Sequence, residues 1–350
     1  VYLHLSSDLI WHRGPVDAAQ WLNSYARRRY GAESASANQA WDLLLSGPYA
    51  PGAPVTEYSS IIAARPALLC SKSGPNEGFH IPYDPLQLVR AWKLLLQDSD
   101  RLKASDGYGF DVADIARQVL SNLGQTLQRE VTRAHLAKDR PAFEKAARRF
   151  LELLDDADLI CGTRPEYHFG KWVADARQWG STEEEKDLLE RDAATLVTLW
   201  GPTHDPQIFD YAWREWSGLI KSYYRTRGEM FFAHLAANPD YRDSGLPQVY
   251  GRESFRANAF YQKLADWETA WTMQRHHLPP QPAGDATAIS ARLLEKSLPG
   301  CERVYAPEYQ KELADGLAET RLGRHTARLL GRLRRRRPAC RVPRSQTAGS

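Results

Sequence analysis

The stretch "FDVADIARQVLSNLGQTLQREV" (110–131) places Val112, Ile115, Val119, Leu123 and Leu127 at steps of three and four residues. That spacing lays one apolar stripe along a helix and is incompatible with a strand, whose side chains alternate with period two. The same pattern recurs along the chain. "DAAQWLNSYARRRYG" stacks Trp21, Leu22 and Tyr25 and stops at Gly31, where a left-handed residue ends a helix. "PLQLVRAWKLLLQ" begins with Pro85 in a first-turn position and stacks Leu88, Trp92 and Leu95. Further helices are expected over 140–155, 165–179, 181–199, 206–238, 251–274, 284–297 and 307–330, joined by Pro-, Gly- and Ser-rich loops at 46–60, 71–85 and 276–287. Few segments alternate with period two, so little sheet is expected, and no fixed-period repeat points to a solenoid.

With 350 residues, 43% of them hydrophobic, the chain can bury a full core. No apolar run approaches the roughly 18–20 residues that a membrane-spanning helix needs, so no membrane partner is expected. The N-terminus "VYLHLSSDLIWHRGP" has neither an initiating Met nor the basic region and cleavage site of a secretory peptide. The expectation is a piece of a longer polypeptide. The net charge of +3 divides unevenly: residues 321–350 hold ten Arg and no acid, leaving 36 bases against 43 acids in the first 320 residues. The tail is therefore basic on an acidic body, and it is expected to be a disordered extension, with nucleic-acid binding the less favoured reading.

The run "LWGPTHDPQIFDYAWREWSGLIKSYY" (199–224) is the most aromatic segment. Asp205 before Pro206 reads as a helix start, a carboxylate capping free N–H groups ahead of a first-turn proline. From there Ile208, Ala212, Leu219 and Tyr223 form one stripe, while Phe209, Trp213, Trp216, Ile220 and Tyr224 form its neighbour. Trp213, Trp216 and Tyr223 are assigned to the core. Trp200 and Tyr211 fall off these stripes and suit either packing or the apolar C–H face of a sugar.

No self-sufficient catalytic set accompanies these rings. Glycosidases use paired carboxyl groups about 5–5.5 Å apart in retaining enzymes, a separation that spacing in a sequence does not give. The acids of "STEEEKDLLER" read as a solvated helix start. Neither Cys70, Cys161, Cys301 and Cys340 nor His80, His168, His276 and His277 show metal-ligand spacing. Phosphate loops and GxSxG turns are also missing, so no cofactor, metal or catalytic residue is assigned.

"TLWGPTHDPQIFDYAWREWSGLIKSYYRTR" resembles the α-N-acetylglucosaminidases of glycoside hydrolase family 89. "VYLHLSSDLIWHRGPVD…WLNSYARRRYG", "AWDLLLSGPY", "PLQLVRAWKLLL", "FDVADIARQVLSN", "FGKWVADAR" and "QPAGDATAI" resemble the same family in the same order, over roughly residues 1–297. The resemblance implies exo-acting, retaining removal of terminal α-linked N-acetylglucosamine by two glutamates of a (β/α)8 barrel, both upstream of Val1. It implies a mainly α fold: an irregular multi-helix domain over 21–300, preceded at 1–20 by the last segment of the barrel and followed by an extension over 301–350. It also implies that Trp200, Ile208 and Tyr211 wall the sugar pocket, that the upstream barrel and a glycan are the partners, and that the location is secreted, periplasmic or lysosomal. Two departures stand out: Asp192 and Ala194 replace an Asn and an Arg common in the family, and the "GPTHDPQI" loop is longer or shifted. The rival class is a non-catalytic helical carbohydrate-binding or scaffold module.

Overall fold

All five residues of the leading stripe, Val112, Ile115, Val119, Leu123 and Leu127, are buried, on a helix of 31 residues running Asp106–Leu136. At 1.5 Å per residue it is about 46 Å long. The computed structural model describes residues 2–50, 59–70, 81–201, 210–240 and 258–318. In chain order the helices are α1 (Tyr2–Trp11), α2 (Ala18–Tyr30), α3 (Ala35–Ser46), α4 (Pro85–Gln97), α5 (Ser99–Leu102) and α6 (Asp106–Leu136), then α7 (Arg140–Cys161), α8 (Phe169–Arg177) and α9 (Glu183–Leu196). A π-helical turn, Ile220–Tyr224, runs straight into α10 (Arg225–Ala237), and α11 (Ala259–Thr272), α12 (Ala286–Val304) and α13 (Pro307–Ala318) complete the set. Among the described residues there is no strand, and one isolated parallel bridge joins His168 to Ser217. The fold is mainly α, as expected.

Local chemistry fixes many of the helix starts. Asp17, Ser34, Asp84, Ser105, Asp139, Asn258 and Asp285 each accept backbone N–H donors of the first turn. Thr182 and Glu185 form a reciprocal capping box at α9, and Gly31 ends α2 at φ +72°. Helix α6 is buried around most of its circumference because α7, α4 and α12 pack against it, with α2 near its start. Trp92 of α4 is fully buried at this junction, its Nε1 donating to Ser290 Oγ of α12 at 2.7 Å. That bond is one of the ties between the N-terminal helices and the C-terminal ones.

Several boundaries differ from the sequence expectation. Helix α7 runs on to Cys161 because Ala157, Ile160 and Cys161 are all buried, and α12 passes Pro299 to reach the buried Cys301 and Val304. The segment expected at 165–179 divides into a 3-10 turn, Pro165–Tyr167, and α8.

The larger correction concerns 206–238. Residues 210–212 form a turn, 213–216 are not helical, and helix begins only around Leu219. Asp205, Pro206, Ile208 and Phe209 lie outside the described residues; because 213–216 are not helical, Ala212, Trp213 and Trp216 do not share a helix with Leu219–Tyr224. Tertiary bonds replace helical ones here: Ser217 N donates to Tyr167 O at 2.9 Å, and Phe169 N donates to Ser217 O at 3.0 Å. Gly218 then turns at φ +85°, with Leu278 so close that a Cβ would sit 2.8 Å from its Cδ1. Asp158 of α7 supplies the cap from outside, its Oδ1 accepting from Gly218 N at 2.7 Å and Lys221 N at 3.1 Å. Tyr223 is core as expected, whereas Trp213 and Trp216 are half-buried against it.

Trp92→Ala is expected to cost about 3–5 kcal/mol in urea unfolding, while Trp179→Ala, at a side chain 85% exposed, stays within about 0.5 kcal/mol. Burial holds the imidazoles of His135, His168 and His276 below their ordinary value of 6.5. The unfolded chain therefore takes up protons below about pH 6.5 that the folded chain refuses, and the stability present above that pH declines as pH falls towards 5. Urea midpoints measured from pH 7 to 5 check this, and His135→Gln should make the decline shallower.

Candidate functional site

The turn that carries Trp200 is built from the end of α9. Trp200 N donates to Thr195 O at 2.7 Å, and the fully buried Thr198 bonds Ala194 O through its hydroxyl at 2.7 Å. Thr198 O in turn accepts from Asp210 N at 2.7 Å, so the two ends of the 199–210 loop are stitched together. Both Trp200 (φ +64°) and Asp210 (φ +56°) adopt the left-handed region without being glycine. Such residues cost of order 1–3 kcal/mol each and persist where surrounding bonds over-determine them.

Those bonds converge on Asp210. Its carboxylate is fully buried and takes a bidentate pair from Arg227 of α10, Nη1 to Oδ1 at 2.9 Å and Nη2 to Oδ2 at 2.8 Å. Arg227 Nε also pairs with Glu268 Oε1 of α11 at 3.1 Å, and Glu268 pairs with Arg65. The rings of Tyr223 and Tyr224 flank the Arg227 guanidinium, 5.0 and 5.8 Å from their centroids. Burial opposes the Arg227 charge, but the Asp210 and Glu268 carboxylates outweigh it and hold the guanidinium above its ordinary value. Burial pushes the Glu268 carboxyl up, against the pull of Arg65 and Arg227.

A second buried pair fixes the far end of the same segment. Glu215 is buried and takes hydrogen bonds from Arg117 of α6 and from Ser60. Arg117 also bonds Asp114 at 2.7 Å, and Tyr167 OH donates to the same carboxylate at 2.7 Å. Cys161 lies alongside, its Sγ donating to Glu215 O at 3.3 Å, with burial raising its thiol pKa well above the ordinary value. It is a packed thiol, not a nucleophile.

Clamped at Asp210 and Glu215, the intervening segment presents Tyr211 outward, 49% exposed. Its ring centroid lies 4.8 Å from that of the half-exposed Trp200, the planes inclined at 58°. Trp216 stands behind, 5.6 Å from Trp172, whose Nε1 donates to Ala193 O at 2.9 Å. Trp200 and Tyr211 are thus brought together, as the off-stripe positions allowed. Ile208 lies outside the described residues. The Asp192 and Ala194 departures leave the turn intact: Asp192 stays at the surface, and the Ala194 carbonyl anchors Thr198.

Chemically this is a rigid, partly exposed aromatic surface. The buried carboxylates on either side of Tyr211 in the chain, Asp210 and Glu215, are both committed to guanidiniums. No group of His, Cys, Asp and Glu among the described residues could hold a metal ion.

The model of the α-N-acetylglucosaminidase (NAGLU) C-terminal domain matches residues 21–296. The chain belongs to this family. Human α-N-acetylglucosaminidase is 30% identical over 303 residues, which cover 85% of this chain and 38% of that protein. Among solved structures, the Clostridium perfringens enzyme CpGH89 in complex with its substrate GlcNAc-alpha-1,4-galactose matches with a TM-score of 0.72 and 26% identity, over 84% of this chain and 33% of that one. A family 89 glycoside hydrolase from the same organism in complex with PUGNAc matches with a TM-score of 0.70 and 27% identity, over 82% and 32%. The chain therefore spans well under half the length of these relatives.

Asp210, Arg227, Glu215 and Arg117 were not legible as a set beforehand; the only signal was a charged residue inside each of several strongly aromatic or apolar runs. Arg227→Met strands the Asp210 carboxylate and is expected to cost about 3–5 kcal/mol in urea unfolding. Adding Asp210→Leu should return part of that loss, measured as a double-mutant cycle.

Proposed function

We propose that this domain works as the C-terminal part of an exo-acting, retaining α-N-acetylglucosaminidase, lending Trp200, Ile208 and Tyr211 to the wall of a pocket for terminal α-linked N-acetylglucosamine. The observation that carries this is the inclined Trp200–Tyr211 ring pair, held rigid from behind by two buried ion pairs yet open in front. Pyranose C–H faces pack on such rings, while the indole N–H and phenol remain for hydroxyl or acetamido groups. In this reading the acid/base and nucleophilic glutamates come from an upstream barrel, and the wall contributes by orienting the sugar and excluding water.

Helix α1 supports an upstream partner. Leu3, Ile10 and Trp11 are 85%, 74% and 86% exposed, three bare apolar side chains on one helix. Residues 1–20 read best as the close of the barrel, whose preceding elements would cover that face.

Two assays with an aryl α-N-acetylglucosaminide test the reading. Residues 1–350 alone are expected to give no turnover above background; clear turnover would overturn the placement of both glutamates upstream. In the polypeptide carrying its upstream sequence, Trp200→Ala should lower kcat/KM by about 10- to 100-fold, with unfolding midpoints little changed. An unaltered kcat/KM would remove Trp200 from the pocket.

A further inference from the structure

A second recess lies at the opposite end of the α6–α7 hairpin. Arg117, which anchors the aromatic wall, precedes Glu130 by 13 residues on α6, about 20 Å along the axis. From Glu130 onward, α6 and α7 together with the end of α12 and the start of α13 enclose a groove of about 350 Å³. Its small side chains, Ala134, Ala137, Ala142 and Ala146, leave the floor open. The remaining lining is charged, with four cations, Arg133, Lys145, Arg149 and Arg303, against two acids, Glu130 and Asp139, and with Tyr309 beside them.

Within this groove the carboxylates are already spoken for. Asp139 caps α7 through Ala142 N at 3.0 Å. Glu130 is shared: Oε1 accepts from Arg303 Nη2 at 3.0 Å and from Tyr309 OH, while Oε2 meets Arg149 Nη1 at 3.5 Å. Each guanidinium has five N–H donors, and among the described residues most of those on Arg149 and Arg303 are unspent, although the Arg303 guanidinium also lies over the Tyr309 ring, 4.7 Å from its centroid. Arg133 bonds Glu312 at 3.2 Å, a carboxylate on the exposed rim. Lys145 has no ion pair among the described residues, and it stands four residues before Arg149, a like-charge spacing that destabilises a helix unless an anion answers it. This cationic excess sits on a body whose first 320 residues carry seven more acids than bases.

We propose that the groove is a binding site for the oxyanion of a sulfate or phosphate monoester carried by a sugar-sized molecule. Lys145, Arg149 and Arg303 supply charge and N–H donors, and the volume exceeds what a bare ion fills. The site is separate from the aromatic wall and does not depend on the glycosidase reading.

The test titrates residues 1–350 with glucose 6-sulfate and glucose 6-phosphate by calorimetry, with unmodified glucose as the blank. Saturable binding of at least one ester, absent for glucose, is expected; the tighter of the two identifies the ester class. Lys145→Gln should weaken it and Lys145→Glu weaken it further, by about tenfold or more, without lowering the unfolding midpoint. Lys93→Glu on α4 and removal of residues 321–350 should each leave the affinity unchanged. No saturable binding of either ester, equal affinity in Lys145→Glu, or loss caused by removing the tail alone would each overturn the proposal.

Discussion

The bidentate bond between Arg227 and Asp210 is the constraint on which the aromatic wall depends. Asp210 is fully buried, so its charge is tolerable only because a guanidinium fills both oxygens at 2.8–2.9 Å. Arg227 in turn reaches Glu268, and Glu268 reaches Arg65, which joins α10, α11 and the loop before α4 through one chain of alternating charges. Such a chain adds little net stability over well-packed apolar residues. What it does add is position: with Asp210 fixed, the backbone that carries the neighbouring Tyr211 is held as well.

Helix α6 extends that logic across the domain. Its N-terminal half supplies Arg117 to Glu215, its middle supplies Val119, Leu123 and Leu127 to the core, and its C-terminal half supplies Glu130 and Arg133 to the cationic groove. Because α7 lies along it, Asp158 near the end of α7 can cap the helix that follows Gly218. The wall is therefore assembled from several separated stretches of chain, including the turn after α9, the segment 210–217, α6, α7 and α10. Cooperative assembly of this kind explains why the segment 210–217 holds its shape without regular secondary structure of its own.

The helices themselves were legible because apolar spacing and capping residues act locally. Pro85 in a first-turn position, the acids of "STEEEKDLLER" and Gly31 after "ARRRY" each mark a boundary that tertiary contacts respect. The region 206–238 was misjudged for the opposite reason. Its aromatic residues recur at near-helical intervals, yet what decides the backbone there is the bond pair between Ser217 and the Tyr167–Phe169 turn, the left-handed Gly218, and a cap donated by a residue sixty positions away. Nothing in local spacing distinguishes the buried charges Asp210, Arg227, Glu215 and Glu268 from exposed ones, because their burial depends on partners distant in sequence. Trp200 and Tyr211, left over from the helical stripes, were the positions where local reasoning stopped short of the core; the structure sets their rings 4.8 Å apart.

Trp200 and Asp210 both sit at positive φ, and the domain holds them there with buried ion pairs whose own contribution to stability is small. A chain optimised only for folding would place glycine or asparagine at such turns and leucine at the buried charges. Retaining tryptophan in a strained turn makes physical sense if the ring must face outward at a fixed angle, since a flexible ring would lose affinity to its own ordering entropy on every binding event. Rings held in this way, beside carboxylates bonded to guanidiniums, offer a fixed contact surface rather than acid–base groups. A fixed shape on this domain fits the proposal that acid–base chemistry belongs to residues upstream.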